Sequence, residues 1–489
     1  MNLLFAAAEG SPFLKTGGLA DVIGALPKAL RKSGVDVRVV MPKYKGIPER
    51  YVQAMRFVAH IDVPVGWRSS YCGIFELVHD GVPFYFIDNE YYFARDGAYG
   101  HYDDGERFAF FNRALLAILP SIGFRPDVIH SHDWHTGMVA PVLDKHFRHD
   151  LFYRDIRTVF TIHNLQYQGV YGYEVLGELL GLDEGYYHPD RLEFKGGVSF
   201  MKGGIVYSDR VTTVSQTYAD EIRTPHYGEG LDGALRWLGG RLTGIVNGID
   251  EKSYNPAADA SLFKKYRSSV NGKKANKQAL QRALGLKEDA GQPLVGMVTR
   301  LTAQKGLDLV SHVLHELLEE NEVQFVILGS GDPHYEGFFL DLARRYPEKL
   351  AVQVKFDEQL ARQIYGSSDL FLMSSQFEPC GLSQLLALRY GSIPIVRRTG
   401  GLNDTVHAYD ETSGEGNGFV FNNYNAHEML DAIRLGLSYY DQPEHWKKLV
   451  KQAMSGDYSW NASAQRYLQL YQELLGQEAA AAEAAAAQG

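Results

Sequence analysis

Cys72 and Cys380 are the only cysteines in 489 residues, too few for a disulfide framework and suited to a reducing compartment. Long apolar runs are missing as well, and none approaches the roughly 20 residues of a membrane span. The first residues have no early positive charge, place Glu9 inside their apolar stretch and lead directly into a strand-like pattern, so no signal peptide is expected. Positive charge is in deficit. Lys and Arg number 49 against 59 Asp and Glu, a net charge of −10, which argues against a general nucleic-acid or anionic-membrane binder. A cytoplasmic protein with neither nucleic-acid nor membrane partners is expected, and any phosphate site must be a local basic patch. There is also no P-loop and no G-x-S-x-G elbow.

The chain itself is longer than the ~250 to 300 residues at which a single core stops growing, so two domains are expected. Short apolar runs alternate with helical patterns. In the first half they are Leu3–Ala8, Val35–Met41, Val82–Ile87, Asp127–His130, Thr158–Ile162 and Arg210–Val214; in the second, Leu294–Val298, Gln324–Leu328, Ala351–Val354, Leu370–Met373 and Ile393–Val396. Continuous apolar strands separated by helices indicate an α/β protein with parallel sheets covered on both faces. The Gly-rich stretch before Arg241 and the Asn255–Pro256 stop set a boundary near 240, giving domains 1–240 and 241–456. A helical pattern over 457–476 either completes the second domain or, as assigned, returns to the first. Residues 477–489 form a low-complexity alanine-rich tail.

In such sheets ligands bind beyond the carboxyl ends of the strands, and there the unusual polar residues gather. "SPFLKTGGLA" follows the first strand: Gly17 and Gly18 allow bare amides to approach an anion, and Lys15 adds a mobile cation, although an ordinary turn with a solvated lysine would read the same. "HSHDWH" admits a zinc site, a structural role for its histidines, or sugar or acceptor contacts by Asp133 and His135; its Asp133 lies one place too early for the metallohydrolase pattern H-x-H-x-D-H. "ILGSGDPHY" lacks the third glycine of a dinucleotide fingerprint. Arg300 and Lys305, at a strand-to-helix junction, are either surface cations or a clamp for a diphosphate leaving group. Glu378 either caps a helix N-terminus or binds a sugar hydroxyl.

Taken together, "KTGGLADV" at 15–22, "HSHDWHTG" at 130–137, "TIHNLQYQG" at 161–169, "GIVNGID" at 244–250, "TRLTAQKGLD" at 299–308, "FEPCGLSQL" at 377–385 and "RRTGGLNDTV" at 397–406 resemble bacterial glycogen synthases and the related plant starch synthases, over residues 1–475 and in family order. The resemblance implies a GT-B fold, two Rossmann-like domains facing a deep interdomain cleft that closes on its ligands. It implies transfer of glucose from ADP-glucose to the nonreducing-end 4-hydroxyl of an α-1,4-glucan such as glycogen, with retention of configuration and without cofactor or metal. By motif, Lys15 and Gly18 would contact the donor, Arg300 and Lys305 would neutralise its diphosphate, and Glu378 would hold glucose hydroxyls. Amides around Gly381, Leu382 and Ser383 would complete a phosphate cradle, and Phe356 would stack on adenine. Asp21, Asp133, His135, His163 and Asn164 would line the sugar side, the His163 carbonyl supporting an oxocarbenium-like carbon.

In the wider retaining superfamily a second glutamate stands eight positions after the first, where this chain has Leu386. A carboxylate pair of the kind glycosidases use is therefore not expected. The competing readings are a noncatalytic glucan-binding protein of the same fold, a metallohydrolase built on "HSHDWH", and a phosphorylase, for whose pyridoxal phosphate the sequence shows no signature.

Overall fold

A computed structural model describes residues 1–267 and 270–486, with 477–486 described by backbone alone. The last three residues of the alanine-rich tail lie outside the described residues. The chain divides into two compact units, Met1–Ile245 joined by the chain from Trp460 onward, and Val246–Ser459.

In the first unit the strands are β1 (Asn2–Ala6), β2 (Asp36–Pro42), β3 (Arg56–Val65), β4 (Arg68–His79), β5 (Val82–Asp88), β6 (Val128–His132), β7 (Arg157–Ile162), β8 (Val170–Tyr171), β9 (Glu193–Phe194), β10 (Gly197–Ser199), β11 (Arg210–Thr213) and β12 (Leu242–Gly244). The main sheet runs β12-β11-β7-β6-β1-β2-β5-β4-β3, and β8, β10 and β9 make a separate antiparallel sheet. From β12 to β5 all neighbours are parallel; β4 and β3 add an antiparallel edge. Leu3, Leu4, Phe5 and Ala6 of β1 are fully buried because both faces of the central strand are covered. Helix Gly18–Lys32 buries Leu19, Val22, Ile23, Leu26 and Leu30, the spacing of one helical face, and turns Arg31 and Lys32 to its C-terminal end, where cations suit the dipole. Helix Trp460–Ala486 returns to this unit: Tyr467 and Tyr471 join its core, and the Tyr471 hydroxyl lies 2.7 Å from His130 Nδ1 in β6.

The second unit contains β13 (Leu294–Val298), β14 (Gln324–Leu328), β15 (Leu350–Gln353), β16 (Leu370–Met373), β17 (Ile393–Arg397) and β18 (Phe419–Phe421), all parallel in the order β15-β14-β13-β16-β17-β18. Its apolar strands feed two cores in alternation. Val295, Phe325, Ile327, Leu370 and Leu372 enter the core under helix Leu307–Glu320, while Leu294, Val326, Leu328, Phe371 and Met373 enter the one under helices Glu358–Ser367 and Ser383–Tyr390. Strands with no polar face are what this two-sided burial requires.

Both sheets reverse their winding once, between β1 and β6 in the first and between β13 and β16 in the second. At such switch points the loops after adjacent strands diverge and leave a crevice. Five of the seven motif-bearing loops follow these four strands and β7, and the other two follow β12 and β17. No helix among the described residues is long and apolar enough to cross a membrane.

Candidate active site

The loop after β1 is held from beneath by Glu9, 2% exposed, which accepts from the Thr16 amide at 2.7 Å and the Thr16 hydroxyl at 2.5 Å. Gly17 is the N-cap of helix Gly18–Lys32 and has no side chain to cap it. Above, Lys15 Nζ donates to Asp21 Oδ1 at 2.7 Å, both side chains open to solvent. Lys15, Gly18 and Asp21 thus share one loop and helix start.

The loop after β6 begins with Asp133 at φ 58°, a left-handed conformation uncommon outside glycine. That turn aims its carboxylate across the sheet: Oδ1 accepts from the His163 amide at 2.8 Å and the Asn164 amide at 3.4 Å at the end of β7. Asp133, His163 and Asn164 are therefore one assembly. Desolvation pushes the Asp133 pKa up to about 7, opposed by the two amides. His135 stacks on Trp134 with ring centroids 4.0 Å apart and lies 4.3 Å from the Tyr99 ring. Burial pushes His135 and His163 down to about 3, so both are neutral at physiological pH.

His130 and His132 lie within β6 and are fully buried, so they face the core rather than the loop region. His130 Nε2 meets Thr161 Oγ1 at 2.6 Å, and His132 Nδ1 meets His163 Nε2 at 3.0 Å. Burial holds both histidines well below the usual range. Among the described residues no group of three His, Cys, Asp or Glu side chains is arranged to hold a metal.

In the second unit the cations follow β13 and the acid follows β16, across the switch point. Lys305 Nζ donates to Glu378 Oε2 at 2.6 Å, with side chains 15% and 9% exposed, and Ser375 Oγ donates to the same oxygen at 2.9 Å. Glu378 therefore does not cap a helix: helix Ser383–Tyr390 has Leu382 at its N-cap. Arg300 is exposed and its Nη2 donates to Gln304 Oε1 at 3.2 Å. Close backbone packing sets both loops. A Cβ on Gly329 would stand 1.7 Å from Thr299 O, and one on Gly400, at φ 43°, would stand 2.0 Å from Glu378 O. The glycines of "ILGSGD" thus serve backbone contact beside Arg300.

Gly381, Leu382 and Ser383 form the turn into helix Ser383–Tyr390, whose first amides point into the loop region. Gln384 fastens this turn from behind, its Nε2 donating to the carbonyls of Cys380 at 2.9 Å and Gly381 at 3.0 Å. Phe356, after β15, is 92% exposed, a free aromatic face. Burial pushes the Cys380 thiol up to about 12, which removes it as a nucleophile at neutral pH. Leu386 is packed in the core, so no second carboxylate takes that place.

The structure places most of the expected residues at two switch points, one per unit, with His163 and Asn164 after the neighbouring β7 and Phe356 after the edge strand β15. Glu9, Thr16, Ser375 and Gln384 went unassigned by sequence reasoning. Only Glu9 carried a signal, a charge within an apolar stretch.

Comparisons with known proteins match two separate segments of the chain. Residues 2–237 match the model of the starch synthase catalytic domain, and residues 280–453 that of glycosyl transferases group 1. Similar curated proteins include the glycogen synthase of Geobacillus thermodenitrificans, 58% identical over 98% of this chain and 99% of that protein, and the glycogen synthase of Bacillus cereus, 55% identical over 97% and 100%. Among solved structures, the catalytic domain of starch synthase IV from Arabidopsis thaliana bound to ADP and acarbose matches with a TM-score of 0.88 at 38% identity, covering 96% of this chain and 98% of that one. Sucrose-phosphate synthase from Thermosynechococcus elongatus matches with a TM-score of 0.61 at 18% identity over 97% and 99%, a likeness of fold.

Proposed function

The chain belongs to the starch and glycogen synthase family of GT-B glycosyltransferases, and from that premise we infer that it transfers glucose from ADP-glucose to the nonreducing-end 4-hydroxyl of an α-1,4-glucan with retention, elongating glycogen. The observation that carries this reading is the Lys305–Glu378 pair at 2.6 Å beside a helix N-terminus. It offers a fixed cation to a phosphate and a fixed carboxylate to sugar hydroxyls.

Departure of ADP leaves negative charge on the diphosphate and positive charge on the sugar ring. Arg300 and Lys305 stabilise the first, and they do so more in the transition state than in the ground state. Amides at Gly381, Leu382 and Ser383 receive the phosphate oxygens, and Phe356 receives the adenine face. Lys15 and Gly18 contact the donor from the loop after β1. Asp21, Asp133, His135, His163 and Asn164 serve the sugar and acceptor side.

Among the described residues of the site no carboxylate or thiol is left uncommitted: Asp21 is paired with Lys15 and Glu378 with Lys305. Cys380 is held protonated, Asp133 is committed to amides, and the second carboxylate of a glycosidase pair is replaced by Leu386. This supports substitution on the same face of the sugar, with the leaving phosphate oxygen accepting the proton of the incoming hydroxyl. The His163 carbonyl, set by the Asp133 carboxylate, then supports the electron-poor carbon. The reaction needs neither metal nor cofactor. In Arabidopsis starch synthase IV the ligands are ADP and acarbose, a nucleotide and a glucan analogue of the kind assigned to this chain.

The test is release of nucleoside diphosphate from ADP-glucose and, separately, from UDP-glucose, each with and without glycogen and with EDTA present. Glycogen-dependent ADP release that survives EDTA is expected. No release from either donor by folded protein that binds glycogen would leave the noncatalytic reading.

A further inference from the structure

Glu9 is a carboxylate buried at the end of the central strand, and no lysine, arginine or histidine among the described residues forms an ion pair with it. A buried charge without a counter-ion is unfavourable unless hydrogen bonds replace its hydration. For Glu9 every such donor comes from one segment. Thr16 gives its amide at 2.7 Å and its hydroxyl at 2.5 Å. Desolvation pushes the Glu9 pKa up while these donors pull it down.

Helix Gly18–Lys32 explains the arrangement. Its N-cap is Gly17, so the first amides have no capping side chain of their own. A Cβ on Gly17 would stand 3.8 Å from Glu9 Oε1, on the side of that carboxylate. Glu9 places a buried negative charge beside this N-terminus by holding Thr16, one position ahead of the N-cap. The carboxylate is compensated only while Thr16 holds this conformation, so loop geometry and Glu9 are energetically one unit.

We propose that Glu9 is the positioning residue of the donor loop: its carboxylate anchors Thr16, the residue just ahead of the N-cap of helix Gly18–Lys32, and thereby fixes where Lys15 presents its ammonium. The proposal rests on the reading that Lys15 contacts the donor.

A double-mutant cycle between Glu9→Gln and Lys15→Ala tests it, with thermal unfolding as the control for folding. Glu9→Gln alone is expected to lower kcat/KM for ADP-glucose about tenfold and to leave KM for glycogen within about twofold. In the Lys15→Ala background the same change is expected to cost less than about twofold, because the group that Glu9 positions is gone. Unchanged kcat/KM in Glu9→Gln, or the full loss repeated in the Lys15→Ala background, would overturn the proposal. If Glu9→Gln does not fold, Thr16→Val, which removes the hydroxyl and keeps the amide, is read through the same cycle with an expected fall of about threefold. Wild-type kinetics in Lys15→Ala alone would remove the donor-contact reading and this inference with it; a loss there that is additive with Glu9→Gln would remove the inference only.

Discussion

The two units place their polar residues at equivalent points of similar sheets, yet they use opposite electrostatics. The first unit surrounds its switch point with desolvated neutral rings: His130, His132, His135 and His163 are all driven toward the uncharged form. The cation of its donor loop, Lys15, stands at the surface, paired with Asp21, while a buried Arg107–Asp104 pair lies deeper in the unit. The second unit fixes a charged pair, Lys305 and Glu378, in a mostly buried setting and adds Arg300 at the rim. A sugar ring that gains positive charge is poorly served by imidazolium groups, whereas a departing diphosphate needs cations that are already in place. On the proposed function, the neutral rings of the first unit suit sugar and acceptor groups, and the fixed cations of the second suit an anionic leaving group.

The largest effect that could break this comparison comes from the charged pair. Lys305→Ala and Glu378→Ala are each expected to lower kcat by about 10² to 10³-fold, measured as ADP release by protein whose thermal unfolding shows it to be folded. Near wild-type rates in either would remove the charge-based role of the second unit.

The next effect is on stability against pH. A histidine near pKa 6.5 when unfolded and about 3 when folded binds more protons in the unfolded chain between those values. Its contribution is therefore present above pH 6.5 and lost as the pH falls toward 3, at a slope of about 1.4 kcal/mol per pH unit once the unfolded group is protonated. Asp133 works the other way. Its folded pKa of about 7 lies above its unfolded value, so its contribution is present below about 4 and lost as pH rises through 7. With burial driving four histidines of the first unit down against Asp133 and Glu9 driven up, hydrogen exchange, corrected for its intrinsic pH dependence, is expected to accelerate between pH 7 and 5 in residues 1–245 more than in 246–459. Equal acceleration would erase the contrast, and Asp133→Asn is expected to steepen it.

The smallest effect sharpens the comparison within the second unit. Phe356 touches little of the protein, so Phe356→Ala is expected to leave unfolding temperature unchanged while raising KM for ADP-glucose about fivefold, the scale of one stacked ring. A drop in stability would assign Phe356 to the fold.

Much of this organisation is legible in the sequence because parallel strands buried on both faces are written as unbroken apolar runs, as in Leu294–Val298 and Gln324–Leu328. The antiparallel pair Arg56–Val65 and Arg68–His79 escaped notice because it is an edge with one open side, where Arg56 and Phe57 are exposed and polar residues alternate with apolar ones. Three-residue strands such as Phe419–Phe421 are too short to carry a period. The candidate site residues could be read because they stand directly after strands. Their partners could not: Lys305 and Glu378 are 73 positions apart, and His130 meets Tyr471 across 341. His130 closes the run Asp127–His130 read from the sequence, whereas His132 lies two residues past it, and the helix returning from the C-terminal end covers His130 with the Tyr471 hydroxyl 2.7 Å away.

Titration of ADP into wild type, Lys305→Ala and Asp133→Asn, alongside turnover of the same samples, tests the division of labour most directly. The account predicts that Lys305→Ala loses at least about a hundredfold in ADP affinity, while Asp133→Asn binds ADP within about twofold of wild type and still loses most of its turnover. Retained ADP affinity in Lys305→Ala, or an equal loss of ADP affinity in Asp133→Asn, would contradict it.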